Sequence, residues 1–215
     1  MKNKCAAKWW RNLLPLLFIL APFQALHAAS VSYFLNQSNV LVDGPNYLKV
    51  TVSDGVGGLI DFKVETLAPL NSISGSNFGI QSFSFNTTLS NPPDSSLVNL
   101  PSGWAGNSAP PTNQADGFGS FDLEVADGGS NRTSVLTFSI NVAGDSILNY
   151  TSAVSGGNAA QGNVLFSAHV AGFNDGYGNT SAYFGGSMPV PLPAAIWFFG
   201  SGLLALAGMV KRKRK

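Results

Sequence analysis

The chain has almost no cysteine. Its single cysteine, Cys5, lies within the first 28 of 215 residues, a segment that we expect to be removed during export. Disulfide bonds, cysteine-ligated zinc and a cysteine nucleophile are therefore excluded from the protein that remains.

Histidine is nearly as scarce. Only His27 and His169 occur, and His27 belongs to the same removable segment. A zinc site built on histidine is therefore disfavoured, and the chain has no His-Glu-x-x-His pattern. Beyond residue 28 there is also no Gly-x-Ser-x-Gly sequence, which argues against a catalytic triad that uses His169. The sequence predicts no metal centre and no cofactor, and a hydrolase is the least favoured of the functions considered.

Positive charge is missing from the middle of the chain. Of the 12 Lys and Arg residues, four lie in the first eleven positions and five form the C-terminus. The middle retains Lys49, Lys63 and Arg132 against all 11 Asp and Glu residues, which gives it a net charge of −8. We expect no nucleic-acid partner, because binding to phosphates requires clustered basic residues.

The middle also lacks a sustained helical period. Apolar residues alternate with polar ones in short runs, which is typical of half-buried β-strands. The runs lie within residues 48–52, 60–64, 83–85, 121–125, 136–142 and 164–170. Many short strands separated by turns predict an all-β domain, a single antiparallel β-sandwich of Greek-key or jelly-roll type in preference to a barrel. Residues 29–188 are numerous enough for one such domain.

The turns between these runs predict two hairpins and one long loop. Residues 48–52 and 60–64 flank a glycine-rich turn, and residues 121–125 and 135–142 flank a second one at 127–131. Residues 91–116 contain five prolines. Because proline cannot donate to a sheet, this segment predicts a long surface excursion.

Trp104 lies in this excursion and is the only tryptophan between residues 29 and 188. An exposed ring there would be able to stack on a sugar, and Trp104 is therefore a candidate glycan contact. The favoured alternative is that the ring packs the loop onto the domain.

Four acidic residues are candidates for metal binding or catalysis. Asp127 and Asp175 lie in Gly- and Asn-rich segments and are weak calcium candidates, with plain turns as the alternative. Asp122 and Glu124 alternate with apolar residues. We therefore expect both on the solvent face of one strand, without the cleft that a glycosidase needs.

The N-terminus has the three parts of a secretory signal peptide, which we assign to residues 1–28. Its positive region is followed by an apolar core at residues 13–25 and by the small residues Ala28 and Ala29. We expect cleavage after Ala28, with cleavage after Ala29 as the alternative. The Sec translocon and signal peptidase are then partners. A retained signal helix is disfavoured because the apolar core is short for a membrane span.

The C-terminus combines an apolar run with a basic end. Residues 194–210 contain no ionisable side chain and predict a transmembrane helix near the minimum spanning length. The tail that follows consists of Lys211, Arg212, Lys213, Arg214 and Lys215. Five cations argue against a buried core helix. They predict a cytoplasmic C-terminus, with the preceding domain outside.

A short motif precedes this span, formed by Val190, Pro191, Leu192, Pro193, Ala194 and Ala195. The stretch from 189 to 215 resembles the PEP-CTERM sorting signal, in the variant whose motif reads Val-Pro-Leu-Pro-Ala. The similarity continues through Trp197, Phe198 and the glycines around Ser201 to the basic end. Leu192 stands where the commoner Pro-Glu-Pro core has glutamate. Prolines keep the motif extended, as a processing enzyme requires.

The resemblance implies an exosortase, an integral-membrane transpeptidase-like enzyme, as a partner. The implied route is Sec export, temporary anchoring in the inner membrane, and tail removal with release or transfer to the cell surface. Such proteins are linked to Gram-negative bacteria that make extracellular polysaccharide. We therefore expect an exported, non-enzymatic protein with a structural or adhesive role in an exopolysaccharide matrix or biofilm. A secreted carbohydrate-binding module is the alternative.

Overall fold

A computed structural model describes residues 29–90, 94–108 and 113–189. The predicted signal peptide, the sorting motif, the span at 194–210 and the basic tail lie outside the described residues. Within the described ranges, no helix has the length and apolar character needed to cross a membrane.

The described residues are predominantly β-structure, which confirms the prediction of an all-β domain. The strands are β1 (Ser30–Leu35), β2 (Gln37–Ser38), β3 (Leu48–Asp54), β4 (Ile60–Thr66), β5 (Ser74–Phe85), β6 (Leu97–Val98), β7 (Ala105–Asn107), β8 (Asn113–Ala115), β9 (Gly119–Phe121), β10 (Leu123–Ala126), β11 (Val135–Ile140), β12 (Phe166–Phe173), β13 (Ser181–Gly186) and β14 (Met188–Pro189). The described residues also contain two α-helices, α1 (Ala68–Asn71) and α2 (Leu148–Thr151), and two 3-10 turns, Val56–Gly58 and Asp94–Ser96.

The strands form two six-stranded sheets and one ribbon. The first sheet has the order β14-β1-β3-β4-β11-β6, and the second has the order β2-β13-β12-β5-β10-β7. All pairings within both sheets are antiparallel. Strands β8 and β9 form the ribbon, and Ser120 of β9 also bridges to Gly156.

One hydrophobic core contains residues of both sheets. Alternate residues of β3 and β4 are buried, as the period-two pattern predicted. Phe62 of β4 stacks on Phe138 of β11 with ring centroids 4.9 Å apart, and its ring lies equally close to Phe85 of β5. The second sheet contributes Phe83 and Phe166, whose rings are 5.8 Å apart. Burial of these aromatic rings joins the two sheets.

A smaller apolar cluster lies on the other face of the second sheet. It contains Ala115, Phe118, Phe121 and Val164, with Tyr183 packed against it. In β13, Ala182 and Phe184 belong to the main core, so Tyr183 lies on the opposite face, which we call the outer face. The β8–β9 ribbon therefore covers part of this outer face. Gly185 permits this, because a Cβ at that position would overlap the Phe118 ring.

Of the two predicted hairpins, one is confirmed and one is wrong. Strands β3 and β4 pair directly across their glycine-rich turn. Strand β10 instead pairs with β5 and β7 in the second sheet, whereas β11 pairs with β4 and β6 in the first. The connection at residues 127–134 therefore crosses between sheets. The glycines at 127–131 form a turn, but the strands on either side of it belong to different sheets.

The prediction that residues 91–116 form one long surface loop is also wrong in part. This segment supplies β6 and β7, which are the terminal strands on one side of the first and second sheets, and it contributes β8. Pro101 lies between β6 and β7. A terminal strand of two or three residues pairs on one side only, so it fits between prolines that would interrupt a longer strand.

Candidate functional site

The polar residues of the second sheet gather on its outer face. His169 of β12 lies between Tyr183 of β13 and Ser82 of β5 in the strand register. Its ring stacks on that of Tyr183, with centroids 4.6 Å apart and planes 18° apart. Its neighbours Ala168 and Val170 are buried in the main core. His169 therefore faces away from the apolar side of its strand.

Glu124 of β10 lies on the same face and is half-buried. The hydroxyls of Ser82 and Ser84 hydrogen-bond its carboxylate. Burial raises the pKa of Glu124, and the two hydroxyls oppose part of that rise. Both serines are buried, as is Ser167 of β12, which lies opposite Ser84 in the strand register. The Ser167 hydroxyl has no hydrogen-bond partner among the described residues.

Asp122 and Glu124 do not lie on the same strand, so they do not form the side-by-side carboxylates that the sequence predicted. Asp122 lies between β9 and β10, where its carboxylate accepts the Thr87 N–H at 3.2 Å. Phe121 belongs to the small outer cluster and Leu123 to the main core. The expectation of one continuous strand from 121 to 125 is therefore wrong, because the chain changes faces at Asp122.

A groove of about 480 Å³ opens next to His169. Pairing between β5 and β12 shifts register between His169 and Val170, and again between Ala171 and Phe173. Such irregularities disrupt a sheet locally and redirect side chains. The polar side chains along the groove are those of Ser76, Gln81, Arg132, His169, Asn174, Thr180 and Ser181.

Arg132 reaches this groove through the connection between the two sheets. Thr133 pairs with Ile80 of β5 through backbone hydrogen bonds in both directions. The Arg132 Nε–H donates to Gln81 Oε1 at 3.1 Å, and Nη1 donates to the Asn77 carbonyl oxygen at 3.2 Å. These two bonds fix the guanidinium group at the groove.

The electrostatics of the groove differ from those of the rest of the domain. Lys49 and Lys63 both pair with Glu65, at 3.7 and 2.6 Å. Arg132 has no carboxylate within 4.0 Å among the described residues. Burial lowers the pKa of His169, and the nearby Arg132 charge lowers it further. At neutral pH, Arg132 is thus the charged side chain of the groove. The His169 imidazole is neutral and has ring nitrogens that are able to hydrogen-bond a ligand.

Trp104, the candidate glycan contact, is buried. Its side chain is 8% exposed and belongs to the main core. The indole N–H donates to the Asn131 carbonyl oxygen at 3.0 Å. Trp104 therefore packs the proline-rich segment onto the domain, which agrees with the favoured alternative. Its ring is not exposed for stacking on a sugar.

The two calcium candidates form turns. The carboxylate of Asp127 accepts the backbone N–H groups of Gly129 and Asn131. Asp175 accepts those of Tyr177 and Asn179. Hydrogen bonds lower the pKa of Asp175. The bond from the Asn179 side chain has the largest effect, and the bond from the Tyr177 backbone N–H follows. The described residues contain no group of three or more His, Cys, Asp or Glu placed to hold a metal ion.

The sequence did not predict the groove, although it contained one signal for it. Arg132 is the only basic residue of the middle outside the β3–β4 hairpin. Gln81, Asn174 and Thr180 are common residue types without a motif, and only the strand register brings them together.

Comparison with known proteins returned no relative. No protein-family model, curated protein or solved structure matches this chain.

Proposed function

We propose that the chain is an exported, non-catalytic protein of a Gram-negative bacterium, delivered to the cell surface or extracellular matrix by its two ends. The observation that carries this proposal is the order of segments in the sequence. A signal peptide precedes an acidic β domain, and the motif at 190–195, an apolar span and five cations follow it. An exosortase-type enzyme then removes the tail while the domain is anchored in the inner membrane.

For the domain itself we propose an antiparallel β-sandwich with Greek-key or jelly-roll-like connections. The shared aromatic core supports this arrangement, since Phe62 of the first sheet contacts Phe85 of the second. A structural or adhesive role in an exopolysaccharide matrix fits a domain whose candidate carboxylates form internal hydrogen bonds. Asp127 and Asp175 accept backbone N–H groups of their turns, and Asp122 accepts the Thr87 N–H.

Mass spectrometry of the mature protein tests the sorting proposal. We expect both ends to be missing from protein recovered outside the inner membrane, with a new N-terminus after Ala28 and a new C-terminus near Pro193. Replacing Pro191 and Pro193 by alanine should leave the tail in place, because the motif is then no longer held extended. Pro69→Ala, at an exposed proline in α1, is the matched control and should be processed normally.

Two results would contradict sorting through the tail. One is full-length protein that still carries Lys215 in the outer fraction. The other is normal removal of the tail from the double proline variant.

A second function, saccharide binding, is favoured by the groove beside His169. Its hydroxyl and amide side chains suit a ligand rich in hydroxyl groups, and they are placed around a fixed guanidinium. An array of bacterial polysaccharides probed with the full chain tests this function, and an absence of binding would contradict it.

A further inference from the structure

The groove beside Arg132 differs in charge from other grooves of the domain. Three other grooves in the described part of the chain include an aspartate in their lining, namely Asp61, Asp122 or Asp175. The lining of the Arg132 groove includes neither aspartate nor glutamate. In a region with a net charge of −8, this groove is therefore suited to a negatively charged group.

The guanidinium is already positioned for such a group. Arginine has five N–H donors, and Gln81 and Asn77 accept from two atoms of this one. The remaining donors have no partner among the described residues. A planar guanidinium with adjacent N–H groups matches the two oxygens of a carboxylate. Because its orientation is fixed before binding, less side-chain entropy is lost when a ligand arrives.

The groove offers further hydrogen bonds around this charge. Asn174, Thr180 and the neutral imidazole of His169 line the same groove as Arg132. Amide and hydroxyl groups of this kind pair with the hydroxyls of a sugar ring, whereas a simple inorganic anion would leave most of them unused.

We propose that this groove binds an acidic saccharide, with Arg132 pairing with the carboxylate of a uronic acid unit and Asn174 and Thr180 holding its hydroxyls. This assignment rests on the proposed saccharide-binding function and specifies its ligand class. Gln81 is a positioning residue, because it acts on the ligand by orienting Arg132.

The test compares a galacturonate trisaccharide with the neutral galactose trisaccharide, using the full chain purified in mild detergent and calorimetric titration. We expect binding of the acidic probe to be at least about tenfold tighter, as one charge-assisted bidentate contact allows. Added salt should weaken that preference, because the groove is open to solvent. Arg132→Gln should remove it, and Arg132→Lys should restore only part of it, since lysine lacks the fork.

Lys63→Gln is the matched control, because it removes the same charge from the first sheet and should leave the affinity unchanged. Melting temperatures verify that each variant is folded. If Arg132→Gln fails to fold, Thr180→Val replaces an exposed hydroxyl on the groove, and we expect it to weaken the acidic probe severalfold.

The outcomes separate the two proposals. Equal binding of both probes, unaffected by Arg132→Gln, would overturn the acidic preference and leave saccharide binding standing. No binding of either probe, together with no binding on the polysaccharide array, would overturn both. Weakening by Lys63→Gln as strong as that by Arg132→Gln would show that overall charge, and not the groove, attracts the ligand.

Discussion

Burial affects two titratable residues of the outer face in the same way. The pKa of Glu124 is raised and that of His169 is lowered, each chiefly by burial, so the neutral form of each is favoured in the folded protein. Their effects on stability have opposite pH dependence. His169 reduces stability as pH falls below its ordinary value of 6.5, because the unfolded chain then binds the proton more readily. Glu124 reduces stability as pH rises above its ordinary pKa of 4.5, because the unfolded chain then loses the proton more readily.

Glu124→Gln should therefore stabilise the protein at neutral pH. The folded pKa of Glu124 lies above its ordinary value of 4.5, so its contribution is fully present below that pH and is lost as pH rises through the folded pKa. Glutamine keeps the shape and the hydrogen bonds without the charge. We expect a higher melting temperature for the variant at pH 7 and little difference at pH 4. His169 is present in both proteins and cancels in the comparison. A variant less stable at pH 7 would show that the Ser82 and Ser84 bonds outweigh the cost of burial.

At the scale of elements, the connection between β10 and β11 depends on one buried carboxylate. Asp127 is 7% exposed and accepts two backbone N–H groups within the turn. This turn carries the chain from the second sheet to the first and delivers Arg132 to the groove.

Asp127→Ala should cost about 1–3 kcal/mol of unfolding free energy, because two backbone donors in a partly buried turn lose their acceptor. Urea denaturation measures the loss. Asp175→Ala removes the same type of acceptor from a turn in the β12–β13 loop, beside the fully exposed Tyr177, and we expect a smaller decrease. Equal losses would mean that burial of the Asp127 turn is unimportant.

The longer strands and one hairpin were predictable from the sequence. Alternation identified β3, β4, β11 and β12, because each strand buries one face in the core. The β3–β4 hairpin followed from its turn, since both strands belong to one sheet. The turn at 127–131 has the same composition, but composition does not say which sheet the next strand joins. Strands β6 and β7 have two or three residues, too few for a period to be detected.

The groove depended on the same missing information. Gln81 and Thr180 are about a hundred residues apart in the sequence. They line one groove because β12 lies between β5, which contains Gln81, and β13, which Thr180 immediately precedes. Trp104 is a candidate glycan contact because tryptophan is chemically suited to sugars. Its burial agrees with the favoured alternative, in which the ring packs the loop onto the domain. A single residue in a proline-rich segment carries no periodic signal that would decide between the two.

At the scale of the whole molecule, the shared core predicts one cooperative unfolding transition. Phe62 has ring contacts with Phe138 of its own sheet and with Phe83 and Phe85 of the other. Phe62→Ala should cost about 3–5 kcal/mol. It should lower the midpoints seen by far- and near-UV circular dichroism together. Val56→Ala, at a side chain that is 92% exposed, is the control and should change neither midpoint. Separate transitions in the variant would mean that the sheets are stabilised independently.

The pairing of β14 with β1 has a consequence for the anchored stage. Pro189 of β14 lies opposite Tyr33 of β1, and β1 begins at Ser30. The first and last strands of the described domain are therefore neighbours at one edge of the first sheet. If the membrane span begins at Ala194 as proposed, four residues separate it from β14, and they extend at most about 14 Å. A linker this short would limit the distance between the domain and the membrane. It would also restrict the orientation of the domain, with that edge of the sheet nearest the lipid headgroups. Cutting the linker would then release rotational freedom as well as the protein itself.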